Sequence, residues 1–301
     1  MVQDWKSGKG VFATLATAPI VWLTIFFLVP MAVMVAYSFG QNAGLTEVDT
    51  WKTFANYGRA VEPLYLSIFG KSIAVAALTT LICLIIGFPV ALAITFAPSK
   101  WRPWLLLAIM LPFWTNLLIR TYALIALLRT QGYANKSLGF FWDSASSLKT
   151  LFGMQPLEAW TPVQLLYNNF AVILGLVYVH LPFMVLPLYS ALDRLDKSLI
   201  EASLDLGAGH LRTMLRIVAP LAAPGIISGV AITFIPALGA YLTPDLMGGT
   251  DSQMIANVIE RQFKRANDWP FGAALSLLPM YLLLFFLVIR SWMPKERQLT
   301  R

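Results

Sequence analysis

The stretch Glu201–Pro220 reads EASLDLGAGHLRTMLRIVAP, and it is a charged, helix-forming segment in a very apolar chain. Phe170–Leu192 precedes it with no Asp, Glu, Lys or Arg, and Leu221–Leu242 follows it without a charged residue. Mostly apolar runs of roughly 17–25 residues are long enough to cross a bilayer as helices. The pattern therefore predicts a polar helical hairpin between two membrane spans, placed to contact something in water.

The composition of the whole chain points to lipid as its solvent. The 301 residues are 58% apolar and 12% charged, with a mean hydropathy of +0.68, whereas a soluble domain is about 45–50% apolar and about 25% charged. The net charge of +7 does not indicate nucleic acid, because the basic residues stand at span ends, where cytoplasmic loops collect Lys and Arg. The single cysteine, Cys83, has no second cysteine with which to form an intramolecular disulfide.

Six stretches have the length and hydropathy of membrane spans, and the apolar region of the first is too long for a cleaved signal peptide. We predict an all-α membrane protein with six transmembrane helices and a single domain over residues 1–301. The predicted spans are residues 11–39, 73–97, 104–128, 170–192, 221–242 and 271–292.

The distribution of basic residues favours cytoplasmic N- and C-termini. With that orientation the short loop Pro98–Pro103, which carries Lys100 and Arg102, faces the cytoplasm, and short loops determine orientation most strongly. The segment 193–220 then forms a cytoplasmic loop between the fourth and fifth spans.

The fifth span contains the sequence Ile235-Pro236-Ala237-Leu238-Gly239. Backbone groups freed by proline survive in lipid only where protein or a wet cavity surrounds them. The sequence thus leaves two interpretations open, a broken helix that lines a path and a simple packing kink.

The hairpin has its own start, turn and end signals. Asp196 or Ser198 can cap the first helix, and Ser198-x-x-Glu201 fits a capping box. Gly207 and Gly209 permit a turn, since glycine tolerates positive φ. Each predicted helix has one apolar face, which requires either the bilayer surface or a groove in another protein.

The spacing from Glu201-Ala202 through Gly207 to Ile217 and Pro220 resembles the EAA loop of bacterial ABC importer permeases, with Ser203 and Ala219 departing from the pattern. The resemblance implies a type I ABC importer permease fold whose coupling helix sits in a cleft of an ATPase subunit; the alternative is an interfacial hairpin that matches by chance. The residues expected to couple to the ATPase are Glu201, Ala202, Ser203, Asp205, Leu206, Gly207, Ala208, Ile217 and Pro220.

Other segments resemble the permeases of spermidine/putrescine importers, specifically the first of their two permease subunits. They are residues 112–120, 181–190, 245–249 and 268–272. This resemblance implies polyamine transport, while related importers carry opines, phosphonates or iron.

The chain lacks a phosphate-binding loop of its own. Gly70-Lys71-Ser72 is the nearest approach, but Tyr65 occupies the position of the first glycine. We therefore expect no catalytic residue, metal site or cofactor in this chain, with ATP and Mg²⁺ bound by a separate ATPase. A membrane-embedded enzyme is disfavoured because His180 and His210 lie far apart, and a secondary transporter or channel because most spans lack a central ionisable residue.

A path for a polyamine needs carboxylates, aromatic faces and carbonyl groups. Arg120 is unusual among the candidates because it would repel a cation; it is expected to pair with Asp245 or with an acid of a partner subunit, or else to reach the interface or broken-helix carbonyls. The candidate path residues are Trp114, Asn116, Arg120, Tyr122, Tyr178, Tyr241, Asp245 and Glu260.

Six spans make half a pathway, so partners are implied. The resemblance predicts a homologous second permease subunit in a heterodimer, a dimer of ATP-binding ATPases and a periplasmic or extracellular substrate-binding protein. The predicted location is the bacterial inner membrane, with no nucleic-acid partner.

Overall fold

The computed structural model describes residues 9–44, 47–50, 53–152, 155 and 157–292, and this part of the chain is almost entirely helical. A two-stranded antiparallel ladder pairs Gln41 with Asp49 and Asn42 with Val48. The α-helices and strands are α1 (Lys9–Leu23), α2 (Val29–Ser38), β1 (Gln41–Asn42), β2 (Val48–Asp49), α3 (Ala55–Ala60), α4 (Pro63–Phe96), α5 (Arg102–Met110), α6 (Leu117–Leu128), α7 (Tyr133–Leu151), α8 (Asn169–Leu192), α9 (Lys197–Asp205), α10 (His210–Thr213), α11 (Ala219–Leu221), α12 (Ala223–Leu238), α13 (Leu242–Met247), α14 (Ile255–Lys264) and α15 (Trp269–Trp292). Short π-helical turns occupy Thr24–Leu28 and Met214–Val218, and short 3-10 turns occupy Leu111–Trp114 and Thr250–Ser252.

The helical membrane architecture predicted from the sequence is confirmed. Within the described residues, three helical stretches are long and apolar enough to cross a bilayer, namely Leu15–Ser38, Pro63–Phe96 and Asn169–Leu192. Two bent helix pairs raise that number to five if each pair is one span, and Trp269–Leu282 is a shorter apolar helix. The count of six spans stays a prediction.

The third predicted span, residues 104–128, is not one straight helix. The chain bends by 92° between Trp114 and Leu117. The break arises because Asn116 adopts an extended conformation and its side chain accepts a hydrogen bond from the N–H of Leu118 at 2.8 Å. Asn116 therefore caps a new helix, within a stretch whose hydropathy indicates a single span.

Of the two interpretations left open for Pro236 in the fifth span, the structure does not show the broken helix. Helix α12 continues through Pro236 to Leu238 and ends at Gly239. Pro236 has no N–H to donate to the carbonyl of Ile232, but it lies in the last turn, and Leu238, two residues later, is the last helical residue. The bend of 70° falls instead at Ala222, between α11 and α12.

Contacts divide the described residues into two compact units, and the single domain predicted over residues 1–301 stays a prediction. The first unit comprises the described residues within 9–66 and 258–292. Within it the side-chain amide of Asn56 donates hydrogen bonds to the carbonyls of Ser38 and Gly40 at 3.0 and 2.9 Å. Arg59 forms an ion pair with Asp268 at 2.9 Å and places its guanidinium 3.9 Å from the ring centroid of Phe271. These contacts join α3 to α2 and to the start of α15.

The second unit, residues 67–257, is organised by close packing of α8 against α12. Gly229 faces Met184, and Gly225 faces Pro187 and Ala191, so closely that an added Cβ atom would clash with them. Small residues allow helices in lipid to approach in this way. A buried cluster extends from this contact to α4 and to the segment that follows α8.

Candidate functional site

The segment between α8 and α12 is a helical hairpin, as the sequence predicts. Helix α9 starts after Asp196, whose carboxylate accepts a hydrogen bond from the N–H of Ser198 at 3.0 Å. This hydrogen bond lowers the pKa of Asp196 below its usual value, so the cap stabilises the hairpin above the unfolded pKa and is lost as the pH falls through the folded one. Gly207 makes the turn in the left-handed region, with φ of +78°.

A buried hydrogen bond holds the two arms of the hairpin together. The hydroxyl groups of Ser203 in α9 and Thr213 in α10 lie 2.9 Å apart, and both residues are less than 10% exposed. Ser203 is a position at which the chain departs from the EAA pattern, and its hydroxyl is matched by Thr213. The sequence analysis missed this partner, although a serine in place of alanine next to an apolar face was a signal for it.

The hairpin has one packed face and one open face. Leu195 and Ile200 from the first arm, with Met214 and Val218 from the second, pack against the buried cluster of α4 and α8. The open face carries large apolar side chains that are exposed, namely Leu206 at 88%, Leu211 at 74% and Leu215 at 62%.

The predicted coupling residues differ in their exposure. Ser203 alone among them is buried, while Ala208 and Ile217 are partly buried. The exposed members are Glu201, Ala202, Asp205, Leu206, Gly207 and Pro220. The arrangement can bind a complementary apolar groove that is rimmed by polar groups.

An ion pair at the base of the hairpin was not foreseen from the sequence. Arg102, the first residue of α5, donates from Nη1 to Oδ1 of Asp193 at 3.0 Å and from Nε to the carbonyl of Ala97 at 3.0 Å. Asp193 is the C-cap residue of α8. The pair joins residues 91 positions apart, so local patterns carry no direct sign of it.

Three elements that contact one another, α6, α8 and α13, carry four of the eight candidate path residues, namely Arg120, Tyr122, Tyr178 and Asp245. Trp114 precedes α6 and is 72% exposed, and Tyr122 in α6 is 58% exposed. Tyr178 in α8 is 39% exposed and Tyr241, at the start of α13, is 43% exposed. The structure thus brings these aromatic residues to neighbouring elements of one compact unit.

Arg120 is only 8% exposed. Its Nε and Nη1 atoms have no hydrogen-bond partner in the described part of the chain, so neither atom forms the expected pair with Asp245 or bonds to broken-helix carbonyls. His180 is equally buried, and its Nδ1 atom lies 2.8 Å from the carbonyl of Leu176. A carbonyl can only accept, so Nδ1 carries the proton.

The remaining path candidates have local structural roles. Asn116 is the cap of α6. Asp245 is exposed in the first turn of α13, where a negative charge is favoured by the helix dipole. Glu260 belongs to the other compact unit and forms an i,i+4 ion pair with Lys264 at 3.1 Å.

Among the described residues there is no group of three His, Cys, Asp or Glu side chains placed to hold a metal ion. An open cavity of about 630 Å³ in the second unit has Arg129, Gln131, Gln164 and Tyr167 among its lining residues. None of these was a candidate in the sequence.

The family description that matches the chain is that of a binding-protein-dependent transport system inner membrane component, over residues 7–293. The spermidine/putrescine transport system permease protein PotB of Escherichia coli K12 is 42% identical over 256 residues, covering 85% of this chain and 88% of that protein. PotB of Haemophilus influenzae is 38% identical over 272 residues, covering 90% of each. The inner membrane ABC transporter permease protein YdcU of E. coli K12 is 30% identical over 282 residues, covering 93% of this chain and 88% of that protein.

Solved structures share the fold. A bacterial ABC transporter involved in the import of the acidic polysaccharide alginate has a chain that superposes with a TM-score of 0.69 at 16% identity, covering 99% of both chains. A bacterial alginate ABC transporter in complex with an alginate pentasaccharide-bound periplasmic protein gives a TM-score of 0.64 at 15% identity, covering 95% of this chain and 94% of that one. At these identities the likeness establishes the fold.

Proposed function

The chain belongs to the family of binding-protein-dependent transport system inner membrane components, and from that premise we propose that it is the permease subunit of an ATP-driven ABC importer of polyamines in the bacterial inner membrane. The observation that carries the polyamine assignment is the 42% identity to a spermidine/putrescine permease over 85% of the chain. An opine, a phosphonate or iron is the alternative cargo.

The exposed face of the hairpin supports the coupling role. Leu206, Leu211 and Leu215 are too apolar and too exposed to face water alone in a folded assembly. We assign this face to a groove of a separate ATPase, which binds ATP and Mg²⁺. ATP binding moves the docked hairpin, and the hairpin moves the spans between inward- and outward-facing states.

The path residues are part of the same proposal. We assign the side chains on α6, α8 and α13 to the route of the solute, with the aromatic rings of Trp114, Tyr122, Tyr178 and Tyr241 offering faces to an alkylammonium cation. Asp245 supplies a carboxylate at the end of that route. A homologous second permease completes the pathway, and a periplasmic binding protein delivers the solute.

Competition for uptake tests the cargo. The complex is purified through a tag on this chain, reconstituted in liposomes, and assayed for ATP-dependent uptake of labelled spermidine against excess putrescine, spermidine or an opine. The polyamine assignment predicts that the two polyamines compete and the opine does not. Competition by the opine alone would end the assignment of cargo and leave the importer assignment standing.

Co-purification tests the docking face. Leu211→Glu places a charge in the apolar groove of the ATPase, so the amount of ATPase recovered with the tagged chain should fall at least about tenfold, the equivalent of about 1.4 kcal/mol. Leu151→Glu is the matched control, because Leu151 is 81% exposed at the end of α7, outside the hairpin. Equal recovery with both variants would argue against the docking face.

A further inference from the structure

Arg102 and Asp193 each stand at a helix end whose partial charge has the same sign as the side chain. Arg102 is the first residue of α5, and Asp193 is the C-cap of α8. A helix carries partial positive charge at its N-terminus and partial negative charge at its C-terminus, so cations are favoured at the C-terminus and anions at the N-terminus. Neither residue gains stability from the dipole of its own helix, and their mutual contact offsets both unfavourable placements.

A single guanidinium joins three helix ends. Nε of Arg102 donates to the carbonyl of Ala97, just after the end of α4, at 3.0 Å. Nη1 donates to the carboxylate of Asp193 at 3.0 Å. The carbonyl groups at the end of a helix lack partners within the helix, and here Arg102 supplies one. The end of α4, the start of α5 and the end of α8 are thereby held together.

The hairpin starts three residues beyond this contact. Only Arg194 and Leu195 separate Asp193 from Asp196, the cap of α9. Leu195 packs into the buried cluster below the hairpin, and its N–H donates to the carbonyl of Leu192 at 3.1 Å. The connection is short, and the packing of Leu195 and the cap at Asp196 fix its geometry. A displacement of α9 is therefore expected to displace Asp193 as well.

A small cavity lies directly beside the ion pair. Its volume is about 90 Å³, and its walls include Arg102 and Asp193 together with Thr95 of α4 and Ile200 and Val218 of the hairpin. The packing between the hairpin and α4 is therefore incomplete at this point, next to the ion pair.

Stability does not account for the pair. The side chains of Arg102 and Asp193 are 24% and 42% exposed, and exposed ion pairs add little to stability because water screens them and ordering two side chains costs entropy. What the pair supplies is a fixed geometry between the hairpin and the turn from α4 to α5.

We propose that the Arg102–Asp193 ion pair is a clasp that transmits movement of the ATPase-docked hairpin to α4 and α5. This inference rests on the proposed function and adds two positioning residues to it. With the clasp intact, displacement of the hairpin carries the ends of α4, α5 and α8 together. With the clasp broken, the hairpin still docks and the ATPase still turns over, but part of the displacement is lost before it reaches α4 and α5.

The test compares solute uptake with ATP hydrolysis in the reconstituted complex. Arg102→Glu and Asp193→Arg, made singly, each place the charge that the helix dipole prefers, so local helix stability does not suffer. Each nevertheless brings like charges together and breaks the clasp. Coupling free energies between sites correspond to roughly 5- to 150-fold effects, and for each single variant we expect uptake per ATP hydrolysed to fall about five- to twentyfold.

The double variant Arg102→Glu with Asp193→Arg restores opposite charges and should recover most of the uptake per ATP. Lys100→Glu is the matched control, because Lys100 is an exposed cation two residues before Arg102. It changes the local charge without touching the clasp and should leave the ratio unchanged. The yield of assembled complex on gel filtration is measured for every variant, so that loss of assembly is separated from loss of coupling.

Two results would contradict the clasp without affecting the proposed importer function. The single variants could show the wild-type uptake per ATP hydrolysed, or the double variant could show an uptake per ATP as low as that of the single variants. Failure of the proposed function would be seen in a different measurement, because the wild-type complex itself would then show no ATP-dependent polyamine uptake.

Discussion

Gly207 is needed at the turn of the hairpin because of its backbone conformation, and not because a side chain would lack room there. Its φ is +78°, and an added Cβ atom would have no neighbour within 4 Å. A side chain at this position therefore meets no clash, but an L-residue in the left-handed conformation costs roughly 1–2 kcal/mol. The requirement for glycine is conformational.

Gly207→Val should weaken the ordered hairpin by about 1–2 kcal/mol and reduce co-purification of the ATPase by about 5- to 30-fold. Gly207→Asn should retain most of the ATPase, since asparagine visits the left-handed region more readily. Gly209→Ala is the control, because Gly209 has a φ of −70° and no neighbour near its Cβ position. Loss of the ATPase with Gly209→Ala but not with Gly207→Val would contradict this account.

Arg120 is a buried cation without an acceptor for two of its nitrogens in the described part of the chain. Arginine does not deprotonate in proteins, so the isolated chain bears the cost of that charge. An arginine at the centre of a membrane helix costs about 2.5–3.5 kcal/mol on insertion scales. We expect the acceptor to come from outside this chain in the assembled importer.

Arg120→Met removes the charge and keeps an unbranched apolar stem in place of the first part of the arginine side chain. The isolated chain in detergent should become more stable by up to about 3 kcal/mol, seen as a higher midpoint of thermal unfolding. Uptake by the assembled complex should fall, because the acceptor that another subunit supplies has lost the guanidinium to which it binds. A lower midpoint in the isolated chain would mean that Arg120 is already satisfied within it.

The two arms of the hairpin depend on the hydrogen bond between Ser203 and Thr213, which lie 2.9 Å apart and are buried. A typical hydrogen bond contributes about 0.5–1.5 kcal/mol, and a buried group left without a partner costs more than a pair that is removed together. The two positions are therefore energetically coupled, because removing one hydroxyl leaves the other without its partner.

Ser203→Ala alone should destabilise the hairpin by about 1 kcal/mol, because Thr213 retains only a long contact to the carbonyl of Gly209 at 3.4 Å. The double variant Ser203→Ala with Thr213→Val should be nearly as stable as the wild type, since both polar groups are gone. A double-mutant cycle on the midpoint of thermal unfolding measures the coupling, and strictly additive effects would show that the hydroxyls do not interact.

The second compact unit as a whole depends on the approach of α8 to α12. A Cβ atom added to Gly225 would lie 2.5 Å from the Cβ atom of Ala191 and 2.7 Å from the carbonyl oxygen of Pro187. Backbone cannot move aside as a flexible side chain can, so the helices must separate. Because the buried cluster extends from this contact, the separation affects the packing of the unit.

Gly225→Ala should therefore destabilise the unit by about 1–3 kcal/mol through overpacking. Gly70→Ala in α4 is the matched control: nothing lies within 4 Å of its Cβ position, and alanine is favoured over glycine in a helix by up to about 1 kcal/mol. Thermal unfolding of the purified chain in detergent measures both changes. A Gly225→Ala variant as stable as Gly70→Ala would show that the close approach is not required.

The sequence by itself determined the helical membrane character and the main parts of the hairpin. Those features rest on local properties: the length of apolar runs, the capping side chain of Asp196 and the backbone freedom of Gly207. Each is encoded within a few neighbouring residues, so a pattern in the chain is enough to predict it.

Only the tertiary structure decided the 92° break at Asn116, the continuous helix through Pro236 and the partners of Ser203 and Arg102. Hydropathy does not distinguish a straight span from two capped helices of the same composition, and a proline in the sequence does not by itself fix the residue at which a helix ends. Thr213 lies 10 residues from Ser203 and Asp193 lies 91 from Arg102. Such contacts follow from how helices pack in space, because the energy that selects them belongs to pairs of surfaces and not to any one stretch of sequence.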